Sequence, residues 1–69
     1  MITIHQRIPM DSDGTCWWEF HGLSTDVKPT GEYPEGSGYK VGNGSVFVII
    51  DHNAISLFDQ ENTQWGEEV

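Results

Sequence analysis

The stretch "NGSVFVIIDHNAISLFDQENTQW", residues 43–65, decides the fold. Asn43-Gly44 is a turn dipeptide, because both residue types tolerate positive φ. Ser45 to Asp51 reads as a strand rich in β-branched residues, His52-Asn53 as the tip of a connection, and Ala54 to Asp59 as a second strand. Gln60 to Thr63 is a polar turn leading into Gln64-Trp65-Gly66, which completes a three-stranded antiparallel meander. Trp65 falls within pairing distance of Phe58, and such a cross-strand aromatic pair contributes about 0.2–1 kcal/mol beyond burial.

Successive strand residues point to opposite faces, so a half-exposed strand alternates apolar with polar. Val46-Phe47-Val48-Ile49-Ile50 does not alternate, and the adjacent Trp17-Trp18 sends one indole to each face. Both faces of the sheet are therefore apolar. A chain of 69 residues has little polypeptide left to cover two such faces. The expectation is that another polypeptide covers the second face, through a contact surface drawn from Trp17, Trp18, Phe20, Phe47, Ile49, Phe58 and Trp65. The competing arrangements are a central loop folded back over the sheet, or a small closed barrel or sandwich.

Upstream, Ile2, Ile4 and Ile8 alternate with Thr3, His5 and Arg7 in a strand pattern that Pro9 ends or places at an edge. Asp11-Ser12-Asp13-Gly14 is turn chemistry, and Thr15 to His21 follows as a strand. Gly22 to Gly44 holds Pro29, Pro34 and six of the eight glycines, and reads as a long loop crossing the surface with a short pairing around Tyr39 to Val41. No helix is signalled. The fold class expected is all-β: one domain over residues 1–69, a small antiparallel sheet or partly open barrel, with residues 1–10 as an attachment or interface strand.

Eleven carboxylates face only Arg7, Lys28 and Lys40, for a formal net charge of −8. Three scattered cations make no basic patch, which argues against nucleic acid and anionic membranes as partners and favours a basic protein if the partner is charged. A second functional reading follows: an acidic inhibitor that imitates nucleic acid on a basic host or defence protein. Residues 1–69 do not open with a charged segment and an apolar run, and hold no apolar span of about 20 residues, so the expectation is a soluble chain not exported by the usual signal. Cys16 is alone, has no internal partner, and beside Trp17 reads as a small buried hydrophobe.

The chemistry-bearing patterns are weak. Asp11-Ser12-Asp13-Gly14-Thr15 places its glycine fourth where a calcium loop needs it sixth, and lacks the apolar strand that precedes an aspartyl phosphatase nucleophile. His5, Cys16, His21 and His52 form no short paired spacing of the kind structural zinc sites use, so no metal or other cofactor is expected. Glu19 and His21 share a strand face and suit an acid/base pair, with a plain surface pair as the simpler reading. No phosphate-cradling loop is present. The chain is not expected to be an enzyme.

From Trp18 onward the chain resembles a group of small phage proteins encoded in virion-gene neighbourhoods. The matching residues are Phe20, then Gly22-Leu23-Ser24-Thr25-Asp26-Val27-Lys28-Pro29, then Asn43-Gly44-Ser45 with Phe47 and Ile50-Asp51, then Phe58-Asp59 through Asn62 to Trp65. The usual Thr after Asp26 is Val27 here, and Ile55-Ser56-Leu57-Phe58 replaces a Tyr-rich strand. The resemblance implies a non-enzymatic head-fibre, decoration or tail-accessory component. It would be found in the virion, and in the host cytoplasm during assembly. It would contact other copies of itself, a trimer included, or capsid and tail proteins. Asp26, Lys28, Pro29, Asn43, Gly44, Asp51 and Asp59 then serve as turn and shape residues, consistent with carboxylates satisfying turn N–H groups.

Overall fold

The computed structural model describes residues 1–69, and its strands are β1 (Thr3–Pro9), β2 (Thr15–Gly22), β3 (Lys40–Val41), β4 (Val46–Ile49), β5 (Ala54–Asp59) and β6 (Gln64–Trp65). The order across the sheet is β1-β2-β4-β5-β6, with β3 also paired to β2. The fold is all-β and open; it does not close into a barrel. The β4-β5-β6 meander is antiparallel as its turns require, and Phe58 pairs with Trp65.

The sheet is nevertheless mixed. β2 runs parallel to β4, pairing Glu19 with Val46 and Phe20 with Phe47, and parallel to β3 at its other end. A parallel pair cannot be joined by a tight hairpin, so the connection must travel the length of the sheet across one face. This is where the Gly- and Pro-rich segment goes. The Tyr33 ring stands edge-on to Trp18 and Phe20 at 5.9 and 5.5 Å. Pro29 accepts a 2.8 Å hydrogen bond from Trp65 Nε1, and Lys40 accepts one of 3.0 Å from Trp18 Nε1. The segment is a lid.

Under it lies the core: Cys16, Trp18, Phe20, Val41, Phe47, Ile49 and Phe58, all buried. Burial alternates along β2 and β4, so the even-numbered side of β2 and the odd-numbered side of β4 face the lid. Trp18 and Phe20 stack at 5.1 Å, and Trp65 meets Phe20, Phe47 and Phe58. Such aromatic pairs are each worth about 0.5–1.5 kcal/mol beyond area burial. Ser45 Oγ, also buried, donates to the Gly42 carbonyl at 2.8 Å and accepts from the Trp18 N–H at 3.1 Å. The β1–β2 turn nests on the lid at Gly14, whose φ of +96° suits glycine and where a Cβ would overlap the Gly38 carbonyl oxygen.

The end of β4 and the burial of β1, whose alternation suits a half-buried strand, differ from the sequence expectation. β4 stops at Ile49, and Ile50–His52 form a 3₁₀ turn closed by Asn53 in the left-handed region at φ 50°. Ile50 thereby leaves the sheet and is exposed. β1 is an edge strand exposed along its whole length, broken by a bulge between Ile4 and Gln6.

Ser45→Ala should lower unfolding free energy by about 1–3 kcal/mol, because it leaves the buried Trp18 N–H without its acceptor, while the Gly42 carbonyl keeps only its 3.3 Å bond from the Ser45 N–H. Urea denaturation followed by tryptophan fluorescence checks this; a change within about 0.5 kcal/mol, the range of ordinary surface substitutions, would show the hydroxyl to be dispensable.

Candidate functional site

The lid answers for one face only. On the other, register places Ile8 beside Trp17, Gln6 beside Glu19, Val46 and Leu57 in a row, and His21, Val48 and Ile55 in the next. No segment crosses these rows. Leu57 is 52% exposed, Ile8 50% and Ile55 41%, whereas Trp17, Val46 and Val48 are half-buried against their neighbours. Trp17 Nε1 donates to the Gly44 carbonyl at 2.8 Å, which holds the indole toward the start of β4. The result is an apolar strip on a flat face. No pocket opens on the surface.

Of the residues expected to form a contact surface, Trp18, Phe20, Phe47, Ile49 and Phe58 are instead buried within the chain, and Trp65 is half-buried against them. A surface centred on those six is not what the fold presents. The larger rings point to the lid, and only Trp17 of the seven stands on the open face. Val46, Val48, Ile55 and Leu57 were not singled out. The signal for them was the same absence of alternation, but which side of β4 the lid would take depends on the parallel pairing.

The turn and shape residues divide into two kinds. Asn43 and Gln60 exchange hydrogen bonds of 2.9 and 3.2 Å, and Gly44 adopts φ +83°. Asp59 accepts from Asn62 N and Nδ2, closing the β5–β6 turn. Asp26 accepts from Leu23 N at 2.7 Å and from the N-terminal ammonium at 3.0 Å. Asp51 does not end a strand but sits in the 3₁₀ turn, where it accepts from Ser24 N at 2.8 Å and Ser24 Oγ at 2.6 Å and so anchors the lid across 27 residues. Lys28 lies over the Phe47 ring at 5.1 Å, and Pro29 receives the Trp65 indole.

Carboxylates in general are used within the fold. Asp11, Asp13, Glu19, Asp26, Glu32, Asp51, Asp59 and Glu68, eight of the eleven, bond to groups of their own chain. They are distributed from the first hairpin turn to the C-terminal segment. Glu19 is the only carboxylate in the rows joining β1, β2, β4 and β5 on the open face. The open face therefore presents no close-set row of carboxylates.

A polar cluster flanks the apolar strip. The β1 bulge turns His5 onto the open face, where its ring stacks on His21 with centroids 3.6 Å apart and planes 17° from parallel. Glu19 Oε2 lies 2.7 Å from His21 Nε2. One ligand-capable atom from each of His5, Glu19 and His21 lies within 4.8 Å of the others. His52 stands apart, bonded to Glu68 at 2.8 Å, and Cys16 is buried under the lid. Comparison with models of protein families, with curated proteins and with solved structures gave no match to this chain.

Hydrogen bonds set the titration of three aspartates. The Leu23 N–H holds Asp26 below the ordinary carboxyl value, the Ser24 hydroxyl does so for Asp51, and the Asn62 amide for Asp59. The Glu68 carboxylate raises His52. The aspartates therefore contribute stability that is complete above about pH 4 and is lost as pH falls through their lowered folded values. The His52 contribution has the opposite sense: complete below about pH 6.5, lost as pH rises through its raised value. Asp51→Asn should lower the urea midpoint at neutral pH and make it fall less steeply on acidification; an unchanged acid limb would show that the lid is not held by Asp51.

Proposed function

We propose that this chain is a non-enzymatic structural or accessory component of a phage virion, acting by protein–protein contact through the open face of its sheet. The observation that carries the contact reading is the uncovered strip of Trp17, Val46, Val48, Ile55 and Leu57, which remains after the lid has covered the opposite face. Contiguous apolar surface rimmed by polar groups is characteristic of protein interaction sites. Tryptophan at such a surface is a favoured anchor. The virion setting is supported by the resemblance along residues 20–65, several of whose shared positions have shape-setting contacts here: Ser24 with Asp51, Asp26 with Leu23, Asp59 with Asn62, and Trp65 with Pro29.

The partner that fits is a second copy of the chain or a capsid or tail protein offering an apolar strip of its own. The strip is nearly free of charge, so the net charge of −8 lies around rather than within the contact and opposes indiscriminate association. The inhibitor reading has only the net charge of −8 behind it, since eight of the eleven carboxylates are bonded within the chain and the open face carries one.

Val48→Glu and Leu57→Glu test this, because both side chains lie on the open face and neither belongs to the buried core. Each variant should fold as the parent does by circular dichroism. Retention on purified phage particles, or self-association in sedimentation velocity, should fall by about tenfold or more for a central contact worth at least 1.4 kcal/mol. Parent-like retention of the double variant would defeat the assignment of this face. A parent chain that stays monomeric and never co-sediments with particles would defeat the contact reading itself.

A further inference from the structure

We propose that His5, Glu19 and His21 form a binding site for a divalent transition metal of the zinc type, which clips the edge strand β1 to β2. Two imidazoles and one carboxylate are a donor set that zinc accepts, with a fourth position left to solvent. All-oxygen ions such as calcium and magnesium are poorly matched to two nitrogen donors. The residues reach one another through the fold and not through local spacing: Glu19 and His21 alternate onto one side of β2, and the bulge between Ile4 and Gln6 delivers His5 from the neighbouring strand.

The adjustment required is small. Zinc bonds of about 2.0–2.2 Å in a tetrahedral arrangement space the ligand atoms about 3.3 Å apart. The three atoms here already lie within 4.8 Å of one another. The stacked rings point their nitrogens alongside one another, so one ring must swing to converge on a shared ion. His5 is free to do so, being exposed on an edge strand. Glu19 would exchange its hydrogen bond with His21 for a bond to the metal, and the His21 nitrogen it now meets at 2.7 Å would become a ligand.

The placement also gives the ion a structural task. β1 has no buried residue and no second strand beyond it, so within the sheet only β2 pairs with it, helped from the lid by Arg7 lying 3.7 Å over the Tyr39 ring. Small domains commonly reinforce a thin core with a metal. A ligand pair spanning β1 and β2 stabilises that attachment, because the ion binds the assembled strands and not the separated ones.

The test uses the untagged full chain and zinc alone, in calorimetric titration, with cobalt absorption as a second probe. The expectation is one equivalent per chain, an unfolding temperature raised by about 10 °C or more at a hundredfold excess over Kd, and an affinity reduced about tenfold or more in His5→Ala, His21→Ala and Glu19→Gln. His52→Ala should bind as the parent does. Zinc should shift the His5 and His21 imidazole proton resonances of the parent and leave those of His52 in place; this readout does not depend on any variant folding. Equal affinity across the variants, a comparable loss in His52→Ala, or no shift at His5 and His21 would overturn the site. The measurement is made on the isolated chain and is independent of whether the open face binds a partner.

Discussion

The parallel pairing of β2 with β4 is the constraint on which the rest of the structure depends. It places Phe20 beside Phe47 in the middle of the sheet and obliges residues 23–45 to run back along one face. The segment that must make this return is therefore the segment that covers the core. Its cover is held at several points: Tyr33 against Trp18 and Phe20, Pro29 against Trp65, and Ser24 against Asp51. A chain of this length can supply one such cover and not two, so the remaining face follows from the same topological choice.

Much of the architecture was legible in the sequence because it is local. Asn43-Gly44, Asp59 with Asn62, and the apolar runs between them specify a meander by turn chemistry and side-chain period alone. Asp26 likewise closes a turn within three residues. What was not legible is long-range. The parallel register of β2 and β4, and with it the side of β4 that would be buried, is settled by how Phe20, Phe47 and Trp65 pack together, and no dipeptide encodes that. The same gap explains the misplaced contact residues: the large aromatics are conspicuous in the sequence for their size, and size is why the core took them. Ile50 escaped the pattern because Asn53 accepts a left-handed conformation and lets the chain leave the sheet early. His5 and His21 are 16 residues apart in the sequence and meet only through a bulge that nothing in the spacing announces.

The acidic composition has a structural explanation. Carboxylates accept two or more hydrogen bonds and need no partner side chain, which suits a chain rich in turns and poor in helix. Asp13, Asp26, Glu32, Asp51 and Asp59 each tie down backbone N–H groups in segments that secondary structure leaves unpaired. The lid in particular is an irregular segment organised by acceptors: Glu32 receives both Gly36 and Gly38 N–H groups, and Asp51 receives Ser24. Charge at these positions maintains shape locally, and the central rows of the open face remain almost free of it.

The bond from Trp65 to Pro29 joins positions 36 residues apart, and β5 reaches β2 only through β4. Tyr33 can meet Trp18 and Phe20 before Trp65 does, but the lid is fastened at Pro29 only once Trp65 is in place. Contacts of such long sequence separation form late and slowly compared with hairpins. Sealing of the core by Trp65 is therefore a late folding event that follows the local hairpins it joins.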